Sequence, residues 1–152
     1  MTVNTTFTAG NILTAAEMNA FGRGLMATPA NSITTDAAIT AEKVVLTYTF
    51  TQETGRNYLL RYFEPVLVGS SAATLTARIR ITNLTGTLIN TFKSSLATAV
   101  NTTAFVESVH TGTANGSVTI VATLQASTGT ATATRSIFQF PQLYALDIGT
   151  GY

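Results

Sequence analysis

The chain has 152 residues, room for one domain with a short attached segment, and its lack of cysteine excludes disulfides and thiolate metal sites. Eight basic and seven acidic residues leave a net charge of +1, with no basic run of the kind that nucleic acid or an anionic membrane attracts. Charged residues make up only 10% of the chain, against roughly 25% in ordinary soluble domains, so either threonine and serine hydroxyls solvate the surface or much of it is buried against copies of itself or partners, the reading favoured here.

The first zone, residues 1–41, reads as an arm with a single short helix. Thr14-Ala15-Ala16-Glu17 has the form of a capping box, with Leu13 and Met18 placed for a hydrophobic staple. Met18, Phe21 and Leu25 then follow at helical spacing, so the pattern predicts a helix over about 14–25. Gly22 and Gly24 weaken its second half, by up to ~1 kcal/mol each, and Pro29 ends any continuation. The terminus MTVNTTFTAG lacks the charged and apolar regions of a secretory signal. No run reaches the ~18 apolar residues of a membrane span, so the expectation is a soluble chain made in a cytoplasm.

From residue 42 to 152 the chain alternates at period two, and about a fifth of the whole sequence is threonine, which favours strands. Leu46, Tyr48 and Phe50 share one strand face; Tyr58, Leu60 and Tyr62 lead a long second strand in which Pro65 predicts an edge or a bulge. Leu75, Ala77, Ile79 and Ile81 alternate with Thr76, Arg78 and Arg80. Short strands follow around residues 88–92 and 105–109. Asn115-Gly116 is a hairpin signal, and the last strands fall at 118–124, 130–140 and 142–148. About eight short strands at regular spacing predict an all-β fold, an antiparallel β-sandwich or jelly roll with a short N-terminal helical arm. The aromatic set Tyr48, Phe50, Tyr58, Tyr62 and Phe63 reads as core and strand-pair packing.

Chemistry is sparse. His110, beside the Thr111-Gly112 turn, reads as an exposed histidine without the nucleophile and orienting carboxylate of a catalytic base. Glu17, Asp36, Glu42, Glu53, Glu64, Glu107 and Asp147 show no spacing of a carboxylate dyad or calcium loop. The expectation is therefore no catalytic residue, no cofactor and no metal. Arg78 and Arg80 share one strand face opposite an apolar one, either a solvated face or a candidate polar contact between subunits.

Two terminal segments carry a resemblance. Residues 6–19, Thr-Phe-Thr-Ala-Gly-Asn-Ile-Leu-Thr-Ala-Ala-Glu-Met-Asn, resemble a motif that opens many phage virion proteins, especially of phages infecting actinobacteria. Residues 143–149, ending Asp147-Ile148-Gly149, are similar to the closing strand of small β-domains in such proteins. The resemblance implies a virion structural protein made in the host cytoplasm and carried on the particle surface. It does not choose among the roles of such proteins; the shortness of the chain favours a capsid decoration or minor capsid protein, with a minor tail protein or a tail-borne receptor- or carbohydrate-binding module as the alternative. By the same analogy its partners are copies of itself, as a homotrimer, and the major capsid protein or another virion protein, but neither nucleic acid nor membrane. Phe7, Ile12, Leu13, Met18, Phe21 and Leu25 are then the apolar anchors of the arm.

Overall fold

The computed structural model describes residues 15–150. A six-residue helix, α1 (Ala15–Ala20), precedes the strands β1 (Gly24–Leu25), β2 (Ala30–Asn31), β3 (Asp36–Ile39), β4 (Lys43–Gln52), β5 (Arg56–Gly69) and β6 (Ala73–Ile81). They continue as β7 (Leu88–Leu96), β8 (Thr102–Thr111), β9 (Gly116–Ala126), β10 (Ala131–Ala133) and β11 (Gln142–Thr150). The chain is all-β, as expected, and its strands lie in two antiparallel sheets.

The long strand β5 is the axis of the first sheet. Along one edge it pairs with β8. Its other edge is shared by β11, beside residues 56–63, and β10, beside residues 67–69. Beyond β11 lie β1 and β2, and beyond β10 lies β3. The second sheet runs β4-β9-β6-β7.

Alternation builds the core, since successive side chains of a strand leave opposite faces. Tyr58, Leu60 and Tyr62 of β5, Leu143 and Ala145 of β11, and Ala104 and Val106 of β8 face inward from the first sheet. They meet Tyr48 and Phe50 of β4, Leu75, Ala77 and Ile79 of β6, and Ile120, Ala122 and Leu124 of β9. Burying a side chain the size of Leu124 contributes ~1.5–3 kcal/mol, so this interleaved layer is the main source of stability.

Several expectations are corrected. The helix stops at Ala20 rather than near residue 25, and no separate helical arm follows it. At Gly22 an added Cβ would lie 2.7 Å from the Asp147 carbonyl oxygen. The glycine lets the chain come down onto β11, and Gly24 and Leu25 then pair with Asp147 and Leu146. An open strand edge supplies the hydrogen bonds that a glycine-weakened helix would have made. Residues 24–25, 30–31 and 36–39 thus pair within the first sheet.

Asn115-Gly116 turns the chain, but not as a hairpin, because β8 and β9 lie in different sheets. Among the described residues, β6 and β7 are the one pair of consecutive strands bonded to each other; the other links between the long strands pass from sheet to sheet. Pro65 marks a bulge against β8 within an internal strand rather than an edge. The strand expected over 130–140 shrinks to Ala131–Ala133. Arg135 then turns inward and Ser136 closes a tight turn with Gln139, so the chain returns as β11 along the same edge of β5.

Candidate interaction surface

The two outer faces of the sandwich differ in chemistry. On the second sheet the outward positions are mainly hydroxyl-bearing: Thr47, Thr49 and Thr51 of β4 lie beside Val121, Thr119 and Ser117 of β9. Next to them stand Thr76, Arg78 and Arg80 of β6. On the first sheet the outward positions are mainly apolar. Register aligns Phe63 with Phe105, Arg61 with Glu107, and Leu59 with Val109 across β5 and β8. The same rows extend onto β11 through Tyr144 beside Arg61 and Leu146 beside Leu59, and onto β1 through Leu25 beside Leu146. Phe105 is 46% and Val109 54% exposed, while Leu59, Tyr144 and Leu146 are half-buried. Contiguous apolar rows on a sheet face, with one ion pair in their middle, are the mark of a surface meant for contact.

Phe63, expected in the core, is therefore on this face. Its neighbours Tyr62 and Glu64 point inward, and the pleat sends it out. A second exposed apolar feature is the turn between β10 and β11. Its two backbone hydrogen bonds join Ser136 and Gln139, and the Ser136 hydroxyl accepts the amides of Phe138 and Gln139. Held at the tip of this turn, Phe138 is 87% exposed.

The charged groups, by contrast, are spent on one another. Six acidic side chains have a basic partner: Asp36 with Lys43, Glu42 with Arg78 and Arg80, Glu53 with Arg23, Glu64 with Arg135, Glu107 with Arg61, and Asp147 with Arg56. Two of these pairs are inside the fold. Arg56 Nε and Nη2 donate to both Asp147 oxygens at 2.8 and 2.9 Å, and Nη2 also donates to the Phe21 carbonyl at 2.8 Å. Asp147 Oδ1 further accepts the Gly149 amide at 2.8 Å. At the other end of β5, Arg135 Nε and Nη2 donate to Glu64 at 3.1 and 2.6 Å, and the Tyr62 hydroxyl donates to Glu64 at 2.9 Å. Burial, with the Glu64 charge beside it, holds the Tyr62 hydroxyl well above the usual tyrosine range.

Residues 20–22, just after the first of the two segments quoted above, meet residues 147–149 at the first of these pairs. Gly149 has φ +98°, and a Cβ there would come within 2.3 Å of the Ala20 carbonyl oxygen. In Asp147-Ile148-Gly149, then, the aspartate takes Arg56 and the glycine admits the backbone of residues 20–22. The sequence offered the motif but not this reason for it.

Among the expected anchors, Phe7, Ile12 and Leu13 lie outside the described residues, as does the capping threonine Thr14. Met18, Phe21 and Leu25 are exposed, with Leu25 continuous with the apolar rows of the first sheet. Arg78 and Arg80 do share the outward face of β6, but their donors are engaged within the chain. Arg80 Nε and Nη2 donate to Glu42 at 2.7 and 3.2 Å, and Arg78 Nη1 donates to Gln125 at 3.0 Å and lies 3.3 Å from Glu42. The Arg80 hydrogen bond holds the Glu42 carboxyl below its usual range. His110 is buried rather than exposed. It lies inward at the end of β8, with Nε2 2.9 Å from Gln52 Oε1, and burial lowers its pKa. Sequence reasoning placed it by its nearness to a turn, whereas the strand's alternation turns it to the core side, where β4 supplies Gln52.

Among the described residues no group of three or more His, Asp or Glu side chains is placed to hold a metal ion, and no helix is long and apolar enough to cross a membrane.

No protein-family model matches the chain, and no curated protein matches it in sequence. Solved structures are similar in shape. A CBM4 structure shares 16% identity over 82% of this chain and 92% of its own, with a TM-score of 0.38. The CBM22-1 xylan-binding domain of Paenibacillus barcinonensis Xyn10C shares 11% over 88% and 94%, with a TM-score of 0.37. A structure of infectious bursal disease virus, Gx strain, shares 12% over 98% of this chain, with a TM-score of 0.47, and this chain spans 43% of that one. At such identities and scores the similarity assigns no function.

Proposed function

We propose that the chain is a non-enzymatic structural protein of a bacteriophage particle, a capsid decoration or minor capsid subunit. It assembles with copies of itself and attaches to the shell through its amino-terminal segment. One observation carries this reading: six carboxylates are paired with cations while rows of the first sheet's outer face and the turn at Phe138 present apolar side chains to solvent. General acid–base work needs a carboxyl or imidazole positioned toward a substrate. Here the carboxylates hold strands together, and His110 is turned inward onto Gln52. Adhesion, in contrast, needs a stiff body, exposed apolar area and a segment that adds contacts on docking. The resemblance at residues 6–19 and 143–149 supports placing that adhesion on a phage particle, with the exposed Met18 and Phe21 as the described part of the anchor.

The test is add-back. Particles of a phage deleted for this gene are mixed with the purified chain, and bound protein is counted after sedimentation. The full chain should bind saturably, and a variant lacking residues 1–14 should bind at least about tenfold more weakly. Particles that take up no chain would contradict the proposal.

A further inference from the structure

The apolar face of the first sheet has a symmetry in its residue types across one strand pair. Across the seam between β5 and β8 the aligned pairs are Phe63 with Phe105, Arg61 with Glu107, and Leu59 with Val109. Each pair is like with like in size, and the one charged pair is opposite in sign. The Arg61 and Glu107 side chains are each about a third exposed and hydrogen-bonded to each other, and Tyr144 stands beside Arg61 on β11.

We infer that this face docks a second copy of the same chain about a two-fold axis running along the seam between β5 and β8. A two-fold axis parallel to the strands lays β5 of one copy on β8 of the other and keeps each residue's height along the strand. Phe63 then meets Phe105 of the second copy, Leu59 meets Val109, and Arg61 meets Glu107, each contact occurring twice as closed symmetry requires. The axis perpendicular to the strands, through the middle row, would instead set charges on their own kind. Charge therefore selects one arrangement. At its centre four charges alternate in sign, so each side chain that loses water gains a second opposite partner, which offsets the cost of covering an ion pair. Apolar rows above and below exclude water from that centre, as productive interfaces do. The contact is only two strands wide, which sets its affinity in the weak, micromolar class. Leu146, Leu25 and Ile148 lie to one side of it.

This inference rests on the proposed reading of an assembling structural protein and specifies the contact by which it assembles. Sedimentation equilibrium on the full chain, up to about 100 micromolar, reads the mass directly, and circular dichroism confirms folding of each variant. The wild type should associate to twice 16.0 kDa. R61E places two carboxylates, and E107R two guanidinia, at the centre of the face; each variant alone should self-associate about tenfold or more weakly. Mixed in equal amounts they should recover the dimer, because every contact across the axis is again between opposite charges. A residue that served only its own sheet would not be rescued by mixing. A wild type that stays monomeric, a trimer mass, or single variants that dimerise as the wild type does would each overturn the inference. So would a monomer that dimerises only when residues 1–14 are removed, since the chain's own amino terminus would then cover the face. None of these results bears on uptake by particles, so the two proposals fail separately.

Discussion

Arg56 is almost sealed from solvent, as is its partner Asp147, and a buried ion is tolerable only while it is matched. Asp147→Ala should therefore destabilise the fold by about 3–5 kcal/mol, read as a shift in the chemical denaturation midpoint. Glu64→Ala should cost a similar amount by stranding Arg135. An exposed pair such as Arg23 with Glu53 should register almost nothing when broken. His110 adds a pH dependence of known sign. Burial lowers its pKa in the fold, so the unfolded chain binds the proton more readily. Its contribution is complete above the ordinary value near 6.5 and is lost as pH falls below that toward the folded value. Unfolding measured from pH 7.5 down to 5.5 should show declining stability, and His110→Gln should flatten that decline. A slope unchanged in the variant would mean that another group titrates there. At the residue scale little of this was legible in the sequence. Arg56 and Asp147 are 91 positions apart, and nothing local announces that they meet. His110 looked exposed because a turn follows it, although its strand position decides its side.

At the scale of the element, alternation made β4, β5, β6, β9 and β11 readable, since each has one face in the core. β1 and β2, of two residues each, carry no period at all. They are strands because β11 offers an open edge and because Gly22 and Gly24 let the chain approach it. A helix written in capping and spacing thus gave way to pairing after its second turn. The consequence for truncation is definite. Removing residues 1–14 leaves the residues of every described element in place. Removing residues 1–28 also deletes β1, the Phe21 carbonyl that Arg56 uses and the Ala27 carbonyl that accepts the Tyr48 hydroxyl. That variant should lose several kcal/mol or fail to fold. Equal thermal melting of the two truncations would show that β1 is not part of the stable sheet. The exposed turn allows an independent check: Phe138→Ser, at a side chain turned to solvent, should leave the melting temperature within about 1–2 °C.

The whole molecule is a sandwich with one hydroxyl-rich face and one apolar face, and the sequence showed the two layers better than it showed the two faces. Low charge and abundant threonine pointed to a strand-built chain with covered surface. Which surface was harder to read, because Tyr58-Leu59-Leu60-Arg61-Tyr62-Phe63 is apolar at both alternating sets of positions. Such a run suits a strand covered on both sides, and the outer side of β5 is the one proposed above to meet a second copy. Arg78 and Arg80, the polar residues that suggested a subunit contact, turn out to be engaged with Glu42, just ahead of β4 in the same sheet. The functional account stands or falls on where the protein resides. Purified particles of the encoding phage, separated into heads and tails and analysed by quantitative peptide mass spectrometry, answer that directly. The account predicts the chain on heads, in a copy number comparable with the sites of an icosahedral shell. Its absence from particles, or a few copies confined to tails, would contradict it.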